Sequence, residues 1–218
     1  MKELLYKEFK LVKHPSMYIF PFFAAMLLIP SYPYALAFVY VILAVFYVFL
    51  SARENNDIVF TSLLPIRKRD IVKSRFLLVI IMELIQVIMC IPFAVINNKI
   101  YLNINVNQAG IEANIALFAF ALIMLALFNI IFLPMFYKTG YKVGIPFVVA
   151  AVIVSLAIGI METLVNIIPY LKKILDTNDK FIQLEQLPLL FIGIIIYVLL
   201  TFLSYKLSVN RFSKVDIK

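Results

Sequence analysis

The sequence contains one cysteine, one histidine and five glycines in 218 residues, and only 15% of it is charged. Each shortage removes a class of protein. A single thiol, Cys90, allows neither an internal disulfide nor a CxxC metal site; inside an apolar stretch it reads as an inert packed side chain. His14 has no partner at HxxE or HExxH spacing, so it reads as an interfacial polar residue and no metal site is expected. The glycines form no GxxxxGK[ST] phosphate loop, although Gly140 and Gly144 in "TGYKVG" come nearest. The chain is therefore not expected to hydrolyse ATP, to hold a cofactor or to carry a catalytic residue.

What is abundant is oil. Hydrophobic residues make up 64% of the chain, which leaves too little polar surface to cover a soluble globule. Uncharged runs cover Pro15 to Ala52, Ile115 to Tyr137, Val143 to Met161 and Leu187 to Tyr205, and Phe76 to Asn98 is broken only by Glu83. A helix needs about 20 apolar residues to cross a bilayer. The first run is too long for one crossing, and "PSYPY" at 30–34 puts two prolines in its middle. It reads as two helices joined by a turn, with Tyr32 and Tyr34 at the headgroup level. The expectation is an all-α membrane protein, one domain over 1–218, with six spans at about 16–30, 33–52, 76–96, 113–136, 143–165 and 187–206.

Six spans put both termini on one side, and sixteen of the 20 Lys and Arg residues fall on that side: the N-terminus, the 53–75 and 138–142 loops and the C-terminus. By the positive-inside rule that side is cytoplasmic. The net charge of +8 is thus dispersed over four membrane-edge segments, which points to membrane lipid and away from nucleic acid. No cleavable signal peptide is expected, because the first apolar run follows 14 amphipathic residues.

Those residues, "MKELLYKEFKLVKH", set Leu5, Phe9 and Val12 against Lys2, Lys7, Lys10 and Lys13, the pattern of a helix over 1–14 lying in the interface. A plain basic flank is the other reading. In the outer segment 166–186, Leu171, Ile174 and Leu175 recur at helical spacing, consistent with either a short helix at the outer leaflet or a solvated loop.

Two features carry functional content. Glu83 sits eight residues beyond Arg75, about 12 Å along a helix, well inside the hydrocarbon. Gln86 follows at i+3, on the same face. The pair is either a polar patch on a translocation pathway or a protonated, hydrogen-bonded link that holds helices together. The second feature is "ENNDIVFTSLLPIRKRDIVKSRF", 54–76. Ile58, Val59, Ser62 and Leu63 recur at helical spacing, Asn56 or Asp57 suits an N-cap and Pro65 a stop, and "RKRDIVKSRF" starts another helix that enters the third span. This describes a short amphipathic helix across the membrane face, a surface made to dock something. A basic flank binding anionic lipid accounts for Arg67, Lys68 and Arg69 but not for Pro65 and the helix before it.

Glu54 followed by "LLPIRKRDIVKSRF" resembles the segment of type-2 ABC exporter permeases that reads as an acid, then L-P-V-S-R-R-E-I-V-x-x-K-Y, before the third span. Leu64, Pro65, Arg69, Asp70, Ile71, Val72, Arg75 and Phe76 fill the matching positions, and Arg67 departs from the Ser common there. The layout of interfacial helix, six spans and outer excursion is similar too. The resemblance implies that 53–75 is a coupling loop, with Glu54, Asp57, Leu64, Pro65, Arg67, Arg69 and Asp70 docking on a cytoplasmic ABC ATPase subunit that holds ATP and Mg. It also implies that two permease subunits, identical or related, pair to form the pathway. Members similar to this chain export antimicrobial or amphipathic toxin peptides. The competing classes are a membrane-embedded immunity or scaffold protein without transport, and an intramembrane enzyme using Glu83 and His14. The latter two residues lie on different elements at different depths.

Overall fold

A computed structural model describes residues 2–11, 14–101, 107 and 110–215. Among these residues the chain is all helical. Helix α1 (Lys2–Leu11) precedes a short apolar piece in which α2 (Ser16–Ile19) passes into a 3-10 stretch, Phe20–Leu28. Then come α3 (Leu36–Glu54), α4 (Asp57–Leu63), α5 (Lys68–Ile100), α6 (Ile115–Thr139), α7 (Gly144–Ile167), α8 (Pro169–Leu175), α9 (Lys180–Glu185) and α10 (Leu187–Ser213). Helices α3, α5, α6, α7 and α10 are each long and apolar enough to cross a membrane, and Ser16–Leu28 is shorter. Of the expected faces of the N-terminal helix, Val12, Lys13 and the side chain of Lys2 lie outside the described residues, as do 102–106, 108–109 and 216–218.

The first expected span differs most from its sequence reading. Pro21, near the start of the 3-10 stretch, has no N–H to donate to an α-type bond. The tighter 3-10 winding rises about 2.0 Å per residue against about 1.5 Å for an α-helix, so thirteen residues reach roughly 24 Å. The end of the stretch is tied across to α5, where Asn97 Nδ2 donates to the Leu27 carbonyl and to the Tyr34 hydroxyl oxygen, both at 2.8 Å. Tyr34 is therefore buried rather than at the headgroup level, while Tyr32 is exposed. An amide that reaches two acceptors outweighs the interfacial preference of a single ring.

Helix α6 is the core. Phe128, Phe132 and Phe136 line one side of it, and Phe49 of α3 packs edge-on to Phe132 and Phe136. Its N-terminus is closed by Asn114, whose side chain accepts from Leu117 N, and by Gln186, whose Oε1 accepts from Ala116 N at 2.8 Å. Gly140 ends it at φ 77, where the N–H bonds back to Phe136 O. Along α10 the contact with α6 is close enough that a Cβ on Gly193 would stand 2.8 Å from Ala119 O. Small residues permit such backbone approach, the usual basis of helix association in lipid.

The outer segments form a polar lattice over this end rather than a free loop. Asn114 Nδ2 donates to the carbonyls of Leu175 and Thr177, Gln186 Nε2 donates to Ile174 O, and Glu112 N donates to Asp176 Oδ1. Burial raises the Asp176 carboxyl above its ordinary range, while the Glu112 N–H opposes the shift.

Candidate functional site

Helix α5 carries two polar clusters. The first lies at its basic end, where three separate elements meet. α3 ends at Glu54, and the chain turns through Asn56 at φ 49, a left-handed conformation that asparagine tolerates, into α4. Asn56 holds the N-cap position, but its side chain makes no capping bond. Asp57, the next residue, points inward. Its carboxylate pairs with Arg75 NH2 at 2.5 Å and with Lys7 Nζ at 2.9 Å. The other side of Arg75 is held by Glu8, with Nε to Oε2 at 2.5 Å, and Lys7 Nζ also reaches Thr61 Oγ1 at 2.7 Å. The Arg75 guanidinium lies over the Phe49 ring at 5.4 Å. Two cations and two anions thus balance in a nearly closed site: Glu8, Asp57 and Arg75 are all at most 5% exposed. Such a site is stable only when complete, because removing one partner strands a buried charge.

This arrangement fixes which side of α4 faces inward. The stripe of Ile58, Val59, Ser62 and Leu63 was expected without an assigned direction; Asp57 and Thr61 face inward, with Ile58 partly packed on the core. Phe60 and Leu63, at 67% and 79%, and Leu64 just beyond the helix, at 50%, point outward. Asp57, expected among the docking residues, is buried and fully engaged by Arg75 and Lys7, so its carboxylate is absent from the outer surface. Ion pairing supplied by α1 and α5 outweighs exposure for this acid. Glu54, Pro65, Arg67 and Arg69 are exposed and Asp70 half-buried, and Arg69 turns to Tyr205 of α10.

The second cluster lies deeper. Glu83 Oε2 accepts from Tyr197 OH at 2.6 Å and from Asn129 Nδ2 at 3.0 Å, joining α5 to α10 and α6. Asn129 Nδ2 lies 3.4 Å from Thr201 Oγ1, and Ser204 Oγ donates to Asn129 O. Gln86 does not share this site. It turns to α3, donating from Nε2 to Ala37 O at 2.8 Å. Residues three apart on a helix differ by about 60° in direction, and here that angle separates two neighbours. Both side chains are at most 1% exposed. In the single chain they face the bundle interior, where such groups link helices.

Sequence reasoning missed Glu8, Lys7, Asn129 and Tyr197 as members of these clusters. Signals existed for two: Glu8 falls at i+3 from Leu5, on the apolar stripe of α1, and Asn129 is the one amide in the uncharged run 115–137. Tyr197 carries no such mark, since a tyrosine in an apolar helix is ordinary. Among the described residues no cluster of His, Cys, Asp and Glu is built to hold a metal.

Five membrane-length helices, with the loop helix α4 ion-paired through Asp57 to α5, define a polytopic membrane protein. Residues 3–213 match the family described as ABC-2 family transporter protein, and the chain belongs to that family. It is thus a multi-pass membrane permease of an ABC transporter, a transport component rather than a catalytic one. Comparison with curated proteins and with solved structures finds no match.

Proposed function

We propose that the chain is the permease subunit of an ATP-driven exporter, that it pairs with a second permease subunit, and that a separate cytoplasmic ABC ATPase docks on the outward face of 53–75. The observation that carries this reading is the amphipathicity of α4, with its apolar side outward. A helix whose inner face is charged and whose outer face presents Phe60, Leu63 and Leu64 is unsuited to standing alone in water. An exposed apolar ridge with the exposed Glu54 before it and Arg67 after it in sequence fits a protein cleft.

The joint behind the ridge gives the docking a mechanical meaning. Movement of α4 is transmitted through Asp57 to Arg75 at the head of α5, and through Lys7 and Glu8 to α1. ATP-driven closure of two ATPase subunits would then move the head of α5, which is uninterrupted by proline from Lys68 to Ile91, and shift the spans between inward-open and closed states. Family membership supports the ATPase partner. The apolar spans suit an amphipathic cargo, with antimicrobial peptides as the class the resemblance suggests, and the basic ends support a cytoplasmic side for both termini.

The test is purification of the full chain from its native membrane in mild detergent, with identification of bound subunits and measurement of ATP hydrolysis. A stoichiometric ABC ATPase with activity is expected. An intact dimer with no ATPase would contradict the proposal and favour a scaffold or immunity protein.

A further inference from the structure

A groove of about 1070 Å³ runs along α5 and α10 with the outer half of α6 at its floor, and Tyr197 and Thr201 of the deep cluster lie on its lining. Leu77, Ile80 and Leu84 form one wall, and Val198 and Phe202 the other. Its charged residues sit at one end and its amides, Asn98, Asn114 and Gln183, at the other, with Tyr197 and Thr201 between. Arg69 and Lys73 mark the basic end, one helical turn apart and therefore on one side of α5. Arg69 Nε donates to the Tyr205 hydroxyl oxygen at 3.1 Å, which holds the guanidinium across the mouth between α5 and α10. Among the described residues no carboxylate lies within ion-pair distance of either cation; the neighbouring Asp70 acts on Arg69 only at longer range.

We propose that the basic half of this groove binds one anionic phospholipid, with its phosphate between Arg69 and Lys73 and its acyl chains laid between α5 and α10. Three observations select this occupant. The mouth has two cations without ion-pair partners, and basic pockets between transmembrane helices are suited to anionic headgroups. The apolar wall runs from Lys73 past Leu84 to Val95, about 33 Å, which matches the roughly 30 Å hydrocarbon core, so its basic half gives the acyl chains of one leaflet an apolar bed. A second copy of the chain fits poorly. An isologous contact across this groove would bring two Arg69–Lys73 pairs together at one depth with no acid to separate them. The inference stands without the ATPase reading, because it concerns the permease alone.

The experiment uses the full chain, purified without partners, reconstituted in bilayers of equal phosphatidylglycerol and phosphatidylcholine and extracted in mild detergent. Native mass spectrometry then counts the lipids retained. The wild type should keep phosphatidylglycerol in preference to phosphatidylcholine. Arg69→Gln with Lys73→Gln should reduce that preference roughly thirty-fold, the product of two basic contacts. Val198→Trp, which fills the wall without changing charge, should lower retention of both lipids; Leu84→Trp on the opposite wall replaces it if that variant does not fold. Equal phosphatidylglycerol retention by the wild type and the double variant overturns the proposal. So does unchanged retention with the wall filled, or rapid crosslinking of two copies through Leu84→Cys.

Discussion

The two polar clusters of α5 lie about 12 Å apart and solve burial differently. At Arg75 full charges are matched in pairs drawn from α1, α4 and α5. At Glu83 one carboxyl is surrounded by neutral donors, Tyr197 and Asn129, from α10 and α6. The first sits at the membrane edge, where ions can be assembled from soluble segments. The second sits where any further charge would be costly, so hydroxyl and amide groups do the linking. The difference separates tasks: the edge cluster fastens elements outside the bilayer to a span, and the deep cluster fastens spans to one another.

The largest effect should come from breaking the edge cluster. Arg75→Met leaves Lys7 alone to balance two buried carboxylates and should lower the stability of the detergent-solubilised chain by about 3–5 kcal/mol, read as a fall in melting temperature, with α4 becoming open to protease. Replacing Glu8, Asp57 and Arg75 together by Leu, Leu and Met should recover most of that loss while disconnecting α4 from α5. A smaller loss, of about 1–3 kcal/mol, is expected from Glu83→Ala, which leaves the Tyr197 and Asn129 donors buried without an acceptor. Glu83→Gln keeps an acceptor and should cost no more than about 1 kcal/mol. If the glutamine variant were as damaging as alanine, the negative charge itself would matter and Glu83 would belong to a pathway. Gly193→Ala probes the spacing on which the deep cluster depends. Its methyl would meet Ala119 O, and the overpacking should cost about 1–3 kcal/mol without altering the edge cluster.

Sequence made the spans legible because lipid demands long apolar runs, and α3, α5, α6, α7 and α10 correspond to five of them. It was least informative at Ser16–Leu28, where backbone winding depends on Pro21 and on capture by Asn97, a residue 70 positions from Leu27. The orientation of α4 was also hidden. Periodicity locates a stripe but does not say which side faces in, and Asp57 is drawn inward by Lys7 and Arg75, 50 and 18 residues away. The polar residues of the spans were legible singly; their partners depend on helix rotation, which no local pattern encodes.

The smallest expected change in stability belongs to the outward face of α4, and it provides the sharpest test. Phe60→Ser with Leu63→Asp alters exposed side chains that touch neither cluster, so the melting temperature should move by no more than about 0.5 kcal/mol equivalent. The measurement is recovery of an ABC ATPase subunit with this double variant, purified from the native membrane beside the wild type. The account predicts a folded, membrane-inserted chain that has lost the ATPase. Retention of the ATPase at wild-type stoichiometry would contradict the assignment of this ridge as the docking face.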